Sequence, residues 1–286
     1  MPKPAALPSP TPAQAAALAA WRGPLLVVGG AGTGKTTLAG LAAVAAHSGD
    51  GPPPLLLAPS RSAASLLRNR IARTLGGTTQ LGVTTVHALC RILLERFSPL
   101  AGRRLLTAPE QEFRVRELLG GPRAADRWPD VLRPALRTRG FARQVRGVLA
   151  RARQLGLDPD QVAGFGAAAG APEWVAMGAF FAEYLDVLDA EEALDYSELV
   201  HRARILLTEP EVTERLRAEI GAVVVDDLDD LDPAQVGLLR DLAGDGGRLL
   251  ATANPRAAVH GFRGAHPRIV ADFPAIFAVA GTPAPV

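Results

Sequence analysis

Leu25-Leu26-Val27-Val28-Gly29-Gly30-Ala31-Gly32-Thr33-Gly34-Lys35-Thr36-Thr37 is the stretch that decides the fold. Its first part, Pro24–Val28, is a short apolar run rich in branched residues and reads as a buried parallel strand. Thr36–His47 is Ala-rich and reads as a helix. Between them, Gly29–Thr36 matches G-x-x-x-x-G-K-[ST], in the strand–turn–helix setting that this pattern requires. The glycines let successive backbone N–H groups curl round a β-phosphate, and the helix start adds its positive dipole end. Lys35 is placed to bridge β- and γ-phosphates, and the Thr36 hydroxyl to ligate Mg²⁺. The expected ligand is Mg-ATP, held by Gly29, Gly30, Ala31, Gly32, Thr33, Gly34, Lys35, Thr36 and Thr37. A glycine-rich turn of no consequence is the alternative, and the two flanking elements argue against it.

Working outward, the pattern repeats. Residues 2–12 carry five prolines and read as extended, followed by a short helix Ala13–Trp21. Pro54–Ala58 is a second apolar strand and Ser62–Leu75 a helix with arginines on its outer side. Strand, helix, strand, helix predicts a parallel sheet with crossover helices. From about Leu105 to Glu209 no convincing strand is visible. Arginine-bearing helices (Pro109–Leu119, Gly140–Leu155), Gly/Ala/Pro breaks at Gly164–Pro172 and an amphipathic stretch Trp174–Leu188 fill the interval. Sheet pattern resumes at Ala222–Val225 and Arg248–Ala253. The expected class is therefore α/β, a parallel sheet interrupted by an all-helical inserted subdomain. Its expected boundaries are 1–104 and 191–275 for the sheet domain, 105–190 for the insert and 276–286 for a tail or the start of a further domain. Ala275–Val286 is Ala/Pro-rich and has no evident partner strand. Trp21 and Trp174 read as core.

A phosphate loop of this kind needs a carboxylate at the end of a neighbouring strand. Val223-Val224-Val225-Asp226-Asp227 supplies one. Asp226 is the metal-side candidate, and Asp227 is placed to orient or deprotonate an attacking water. An acidic helix N-cap is the competing reading. It suits Asp230 or Asp232, just before Pro233, better than Asp226.

The formal charge of +2 hides an asymmetry: residues 1–153 hold 22 Lys+Arg against 7 Asp+Glu, and residues 154–286 hold 9 against 22. The basic part suggests a surface for a polyanion, although an arginine-rich helical face making intramolecular pairs would look the same. The single cysteine, Cys90, excludes an internal disulfide and fits a reducing cytoplasm. No apolar run approaches the roughly twenty residues of a membrane span, so a soluble, cytoplasmic protein without a membrane partner is expected.

Together these pieces resemble the UvrD/Rep type of superfamily 1 helicases, particularly the actinobacterial AdnA/AdnB branch related to RecB. The likeness runs as an ordered series of motifs over most of Thr11–Ala265. Thr11-Pro-Ala-Gln14 resembles the upstream glutamine motif, which implies that Gln14 reads the adenine edge. Leu57-Ala-Pro-Ser-Arg-Ser-Ala-Ala64 is similar to a DNA-side motif, implying contacts from Ser60 and Arg61. Thr84-Thr85-Val86-His87-Ala88-Leu89 resembles the T-x-H segment, implying that Thr85 and His87 meet a strand backbone. Leu194-Asp195-Tyr196-Ser197-Glu198-Leu199 is similar to the acidic-aromatic segment that follows the helical insert. Asp226–Gln235 resembles D-E-x-Q-D-x-x-P-x-Q, and Ala253–Ala265 resembles G-D-x-x-Q-S-I-Y-x-F-R-G-A. In the latter, His260 and Phe262 offer faces on which bases stack, and Arg263 a contact to phosphate or to the nucleotide site.

The resemblance implies a RecA-like P-loop domain, single-stranded DNA as track, 3′-to-5′ movement, ATP and Mg²⁺ as cofactors, and a role in DNA repair or recombination. Lys35, Asp226 and Asp227 carry the chemistry it implies. Departures accompany the matches. Asp227 stands where the family has a catalytic glutamate, Asp229 and Ala257 where it has glutamines, Asn254 where it has an acid, and Pro59 where it has an aromatic. The family's second motor domain would follow the F-R-G-A segment, so the chain is expected to be the amino-terminal portion of a motor. It would complete its site with that second domain or a partner helicase subunit, and alone bind ATP but hydrolyse it weakly. A weakened subunit that holds DNA or regulates an active partner is the non-enzymatic alternative. A P-loop ATPase of another class is a third, against which the helical insert and His260–Gly264 speak.

Overall fold

The computed structural model describes residues 5–47, 51–77, 81–122, 124–255, 265, 268–278 and 284–285. Two compact units emerge, Met1–Ile92 with Arg204–Val286, and Leu93–Ala203. The sequence-based boundaries at 104/105 and 190/191 both fall inside the second unit.

In the first unit, α1 (Pro12–Ala20) precedes β1 (Leu25–Val28), α2 (Lys35–His47), β2 (Leu55–Leu57), α3 (Arg61–Thr74), β3 (Gly82–Thr84) and the start of α4 (Val86–Phe97). The second unit contains β4 (Arg104–Leu105), α5 (Ala108–Leu119), α6 (Ala124–Arg127), a 3₁₀ turn at Asp130–Ala135, α7 (Arg139–Gln154), α8 (Pro159–Ala168), α9 (Pro172–Ala190) and β5 (Ala193–Leu194). Helix α10 (Tyr196–Leu206) leads back to the first unit. There α11 (Pro210–Glu219), β6 (Val223–Val225), α12 (Pro233–Ala243), β7 (Leu249–Ala253), α13 (Ile269–Ile276) and β8 (Ala284–Pro285) follow.

Among the described residues the first unit holds a six-stranded sheet in the order β3-β2-β6-β7-β1-β8, and every pairing is parallel. Strands buried on both faces need no polar alternation, which is why Leu55–Leu57, Val223–Val225 and Leu249–Ala253 are fully buried runs. Trp21, Leu56, Leu67, Ile71, Val224 and Leu250 pack in one core. Each large apolar side chain so buried contributes about 1.5–3 kcal/mol. Because all strands run the same way, the residues after β1, β2, β3, β6 and β7 gather at one edge of the sheet, where open α/β sheets bind ligands.

Three sequence expectations change here. Arg104–Leu105 pairs with Ala193–Leu194 in a two-stranded parallel ribbon, so the interval after Leu105 is not free of strands. Runs of two or three residues are too short to show a period of two. The tail does find a partner: Val27 and Val28 register with Ala284 and Pro285. Gly164 and Gly166 lie inside α8, and the chain breaks only after Ala168.

The second unit has its own core, in which Val115, Leu119, Trp128, Leu149, Phe180, Phe181 and Tyr184 are buried. Gly166 and Gly178 are the close-approach points of α8 and α9. A Cβ at Gly178 would lie 2.6 Å from the Pro159 carbonyl oxygen, and one at Gly166 would lie 2.7 Å from the Val175 nitrogen. Trp174 is not core, being 45% exposed. It starts α9 with its Cβ side turned to Gly166, so position in an amphipathic stretch did not settle its burial.

Candidate nucleotide-binding site

The loop after β1 is tied to the sheet by the Gly29 N–H, which donates to the Ala253 carbonyl at 3.0 Å. Gly29 is buried, and Gly30–Thr33 are exposed. Gly32 (φ 75°) and Gly34 (φ 89°) adopt left-handed backbone, which a Cβ would penalise. Lys35 begins α2, and its ammonium donates to the Gly30 carbonyl at 3.0 Å, folding the cation over its own loop. The Thr33 hydroxyl donates to the same carbonyl at 3.0 Å.

Gln14 arrives from α1. Thr11 caps that helix, and the Gln14 Oε1 accepts the Thr11 N–H at 3.0 Å in a reciprocal capping box. Its Nε2 donates to the Gly34 carbonyl at 3.2 Å. One amide therefore locks a helix start to the phosphate loop, and keeps one N–H and one lone pair for a further partner.

Asp226 sits at the end of β6, buried, with its N–H donating to the Leu57 carbonyl at 2.9 Å. The Thr36 hydroxyl hydrogen-bonds its carboxylate. Thr252 Oγ1 donates to Asp226 Oδ1 at 2.9 Å and accepts the Asp227 N–H at 3.2 Å. Thr252 lies on β7, the strand between β6 and β1, and is fully buried. Sequence reasoning missed it; the only signal was a hydroxyl within an otherwise apolar buried run. Burial pushes the Asp226 carboxyl up, and the bonds from Thr36 and Thr252 and the Lys35 charge pull it back.

Asp227 is the one residue of the site with left-handed non-glycine backbone, at φ 56° and ψ 61°. Aspartate tolerates this region better than most residues. Burial, then the charges of Asp226 and Asp229, push its carboxyl up to about 6. Asp229 is buried and accepts the backbone N–H of Asn254 at 3.1 Å, a contact that any residue but proline could make at 254. The competing N-cap reading belongs to Asp232, which caps α12 in a capping box with Gln235.

Of the expected DNA-side residues, Ser60, Arg61, Thr85 and His87 follow β2 and β3 at the same edge. Ser60 caps α3, accepting the Ala63 N–H at 3.1 Å, and is exposed with Arg61 beside it. The Thr85 hydroxyl accepts the Ala88 N–H at 3.3 Å at the start of α4. His87 approaches Gln235, Nε2 to Nε2 at 3.5 Å. Burial and the nearby Arg61 charge push its imidazole below the usual range, which favours the neutral ring at pH 7. His260, Phe262, Arg263 and Ala257 lie outside the described residues. Asp195 and Glu198, from the acidic-aromatic segment, are buried in the second unit rather than forming a solvated helix start. Asp195 caps α10 by accepting the Ser197 and Glu198 N–H groups at 2.8 Å, and also accepts from Tyr184 and Gln111. Glu198 pairs with Arg153 at 2.7 Å.

The family model for the UvrD/REP helicase N-terminal domain matches residues 10–278. The chain belongs to this family. As a member of the UvrD/REP family it has a mixed α/β architecture with a parallel sheet that fits a RecA-like helicase domain. It is 28% identical to DNA helicase II of Escherichia coli over 280 residues, covering 91% of this chain and 36% of that protein. It is 27% identical to the ATP-dependent DNA helicase UvrD1 of Mycobacterium tuberculosis over 271 residues, covering 87% of this chain and 33% of that protein. With UvrD2 of Mycobacterium bovis the identity is 29% over 285 residues, covering 91% and 38%. The chain thus spans about a third of the length of these relatives. No helix among its described residues is long and apolar enough to cross a membrane.

No group of three or more His, Cys, Asp or Glu that could hold a metal occurs among the described residues. The Thr36–Asp226 pair fits a different kind of site. A hydroxyl whose proton is committed to a buried carboxylate offers its oxygen to a hard cation, and Mg²⁺ keeps most of its waters and takes few protein oxygens.

Proposed function

We propose that this chain binds Mg-ATP and is the motor portion of an ATP-dependent DNA translocase or helicase. The observation that carries this reading is the convergence, at one edge of a parallel sheet, of the Gly29–Thr36 loop with Asp226, joined by the Thr36 hydroxyl. In this reading the loop N–H groups and Lys35 hold the phosphates, and Gln14 meets the base. Thr36 and Asp226 would hold Mg²⁺, which would supply charge that neutralises the phosphates. Asp227 orients the attacking water. Single-stranded DNA lies along Ser60, Arg61, Thr85 and His87, with His260, Phe262 and Arg263 completing the track. Movement 3′ to 5′, a role in DNA repair or recombination, a cytoplasmic location and kinship with the AdnA/AdnB branch rest on the motif resemblance. A second motor domain or partner subunit supplies the arginines that complete the γ-phosphate site, contacts worth about 10³–10⁵ in rate in P-loop enzymes.

ATP turnover, with and without single-stranded DNA and with Lys35→Ala as control, tests this. We expect Lys35-dependent ATP binding with slow turnover. Binding unaffected by Lys35→Ala would refute the site. A second reading is favoured by Asp227, a carboxylate one methylene short on strained backbone: a weakened subunit that holds DNA for an active partner. Asp227→Glu in the same assay separates the two. A large gain in turnover supports the weakened subunit, and no gain supports a tuned, active site.

A further inference from the structure

The second unit carries a feature that the nucleotide site does not use. Helices α5 and α7 pack side by side, and between them runs a groove of about 490 Å³ whose lining includes Glu112, Phe113, Arg116, Arg139, Arg143 and Arg146. Four arginines face one glutamate there. Glu112 already bonds Arg139 at 2.7 Å and Arg143 at 3.3 Å, so it divides itself between two guanidiniums and leaves the lining strongly cationic. The Arg146 Nη1 reaches the Ala108 carbonyl at 3.4 Å, while its Nε is buried without a hydrogen-bond partner. A buried cationic N–H of this kind is costly to leave unmet.

The arrangement of the charges selects the ligand. Arg139, Arg143 and Arg146 stand at i, i+4 and i+7, hence on one face of α7. At ~1.5 Å rise per residue they form a row about 10 Å long rather than a cup round a single phosphate. A row of planar forks suits successive phosphates of a linear chain. At the rim, Phe113 is 54% exposed, with the Arg114 guanidinium 5.6 Å from its ring centroid. An exposed aromatic beside a cationic track is what unpaired bases need and what an acidic polypeptide does not use.

We propose that the α5–α7 groove holds the sugar–phosphate backbone of single-stranded nucleic acid, with Phe113 as a stacking platform for a base. This is a second contact surface, on the helical unit, and it stands whether or not the nucleotide site turns over ATP.

The test measures binding of a fluorescein-labelled oligothymidylate to the full chain by anisotropy, from 50 to 200 mM salt. Retention of ATP binding by each variant is checked on the same preparation. Arg139→Ala with Arg143→Ala is expected to lower the slope of log K against log salt by about 1.4, or about 0.7 per lost phosphate contact. Phe113→Ala is expected to weaken binding at least about fivefold. Glu112→Gln, which frees both arginines, is expected to tighten binding, a gain that damage to the fold would not produce. Lys35→Ala is expected to lose ATP binding and keep the oligonucleotide slope, so failure of the nucleotide site and failure of the groove read out separately. An unchanged slope in the double variant overturns the proposal. So does the absence of oligonucleotide binding by the wild-type chain. Displacement by oligoglutamate as effective as by unlabelled oligonucleotide, with Phe113→Ala without effect, would make the occupant an acidic polypeptide and overturn it too.

Discussion

Asp227 concentrates strain and charge at one position: left-handed backbone, and a carboxyl that burial and then Asp226 and Asp229 push up to about 6. An unfolded aspartate titrates near 3.9, so between about pH 4 and 6 the folded state binds more protons than the unfolded one. The stability contributed by the protonated group is therefore full below pH 4 and lost as pH rises through 6. Asp227→Asn should remove this dependence and raise stability at pH 7.5 by on the order of 2 kcal/mol, discounting a shift of about two units for partial solvent access. Denaturant unfolding in Mg²⁺-free buffer at pH 4.5 and 7.5 measures it. Equal stability of variant and wild type at pH 7.5 would contradict the argument. Sequence narrows the α12 cap to Asp230 or Asp232. The strand-to-helix setting of Gly29–Thr36 and the strand-end position of Asp226 were readable from sequence because glycine spacing and a strand-end acid have few other uses. Thr252 was not. Its role comes from lying on β7 between the strands that carry the loop and the acid, and strand order is a property of the folded sheet. Asp229 and Asn254 were visible as departures from a family pattern, and only the structure brings them together.

At the scale of elements, the α8–α9 pair shows what a glycine decides. A Cβ at Gly178 would press on the Pro159 carbonyl and on the Ala163 nitrogen, backbone atoms that cannot rotate away. Overpacking by Gly178→Ala should cost about 2–3 kcal/mol, against the ~1 kcal/mol that alanine contributes to a helix interior, for a net loss of about 1–2 kcal/mol in the helical unit. Gly147, exposed on α7, has nothing within 4 Å of an added Cβ, so Gly147→Ala should instead stabilise. Thermal unfolding of the two variants, with opposite signs expected, checks this; the same sign for both would mean that the crossing is not tight. The long helices were legible from periodicity, to within a residue or two at α5, α7 and α9. The helical interior of Gly164–Ala168 was not, because glycine at a tight crossing and glycine at a break look alike in one sequence. The strands β3, β4, β5 and β8 are two or three residues long, and pairing with a neighbour, not their own composition, makes them strands.

On the scale of the molecule, the basic surplus of residues 1–153 is partly spent within the helical unit. Arg103, Arg114, Arg127 and Arg153 each pair with a carboxylate there. Sequence alone could not separate these from the arginines of the α5–α7 groove, since both give the same count. The order of the sheet sets a further condition. The strand that feeds the phosphate loop pairs with β7 and β8 and with neither β2 nor β3. On a ribosome adding about 5–20 residues per second, roughly 225 residues separate Val28 from Ala253, so β1 waits about 10–45 s for its first partner. The helical unit, a contiguous segment with its own core, emerges complete within that interval. Arrested nascent chains should therefore show protease-resistant Leu93–Ala203 at lengths that give no Lys35-dependent ATP binding; binding before Ala253 has left the tunnel would contradict this. For that interval the apolar β1 strand and its glycine loop are a segment that chaperones can hold, and slow translation between codons 204 and 253 would lengthen their exposure.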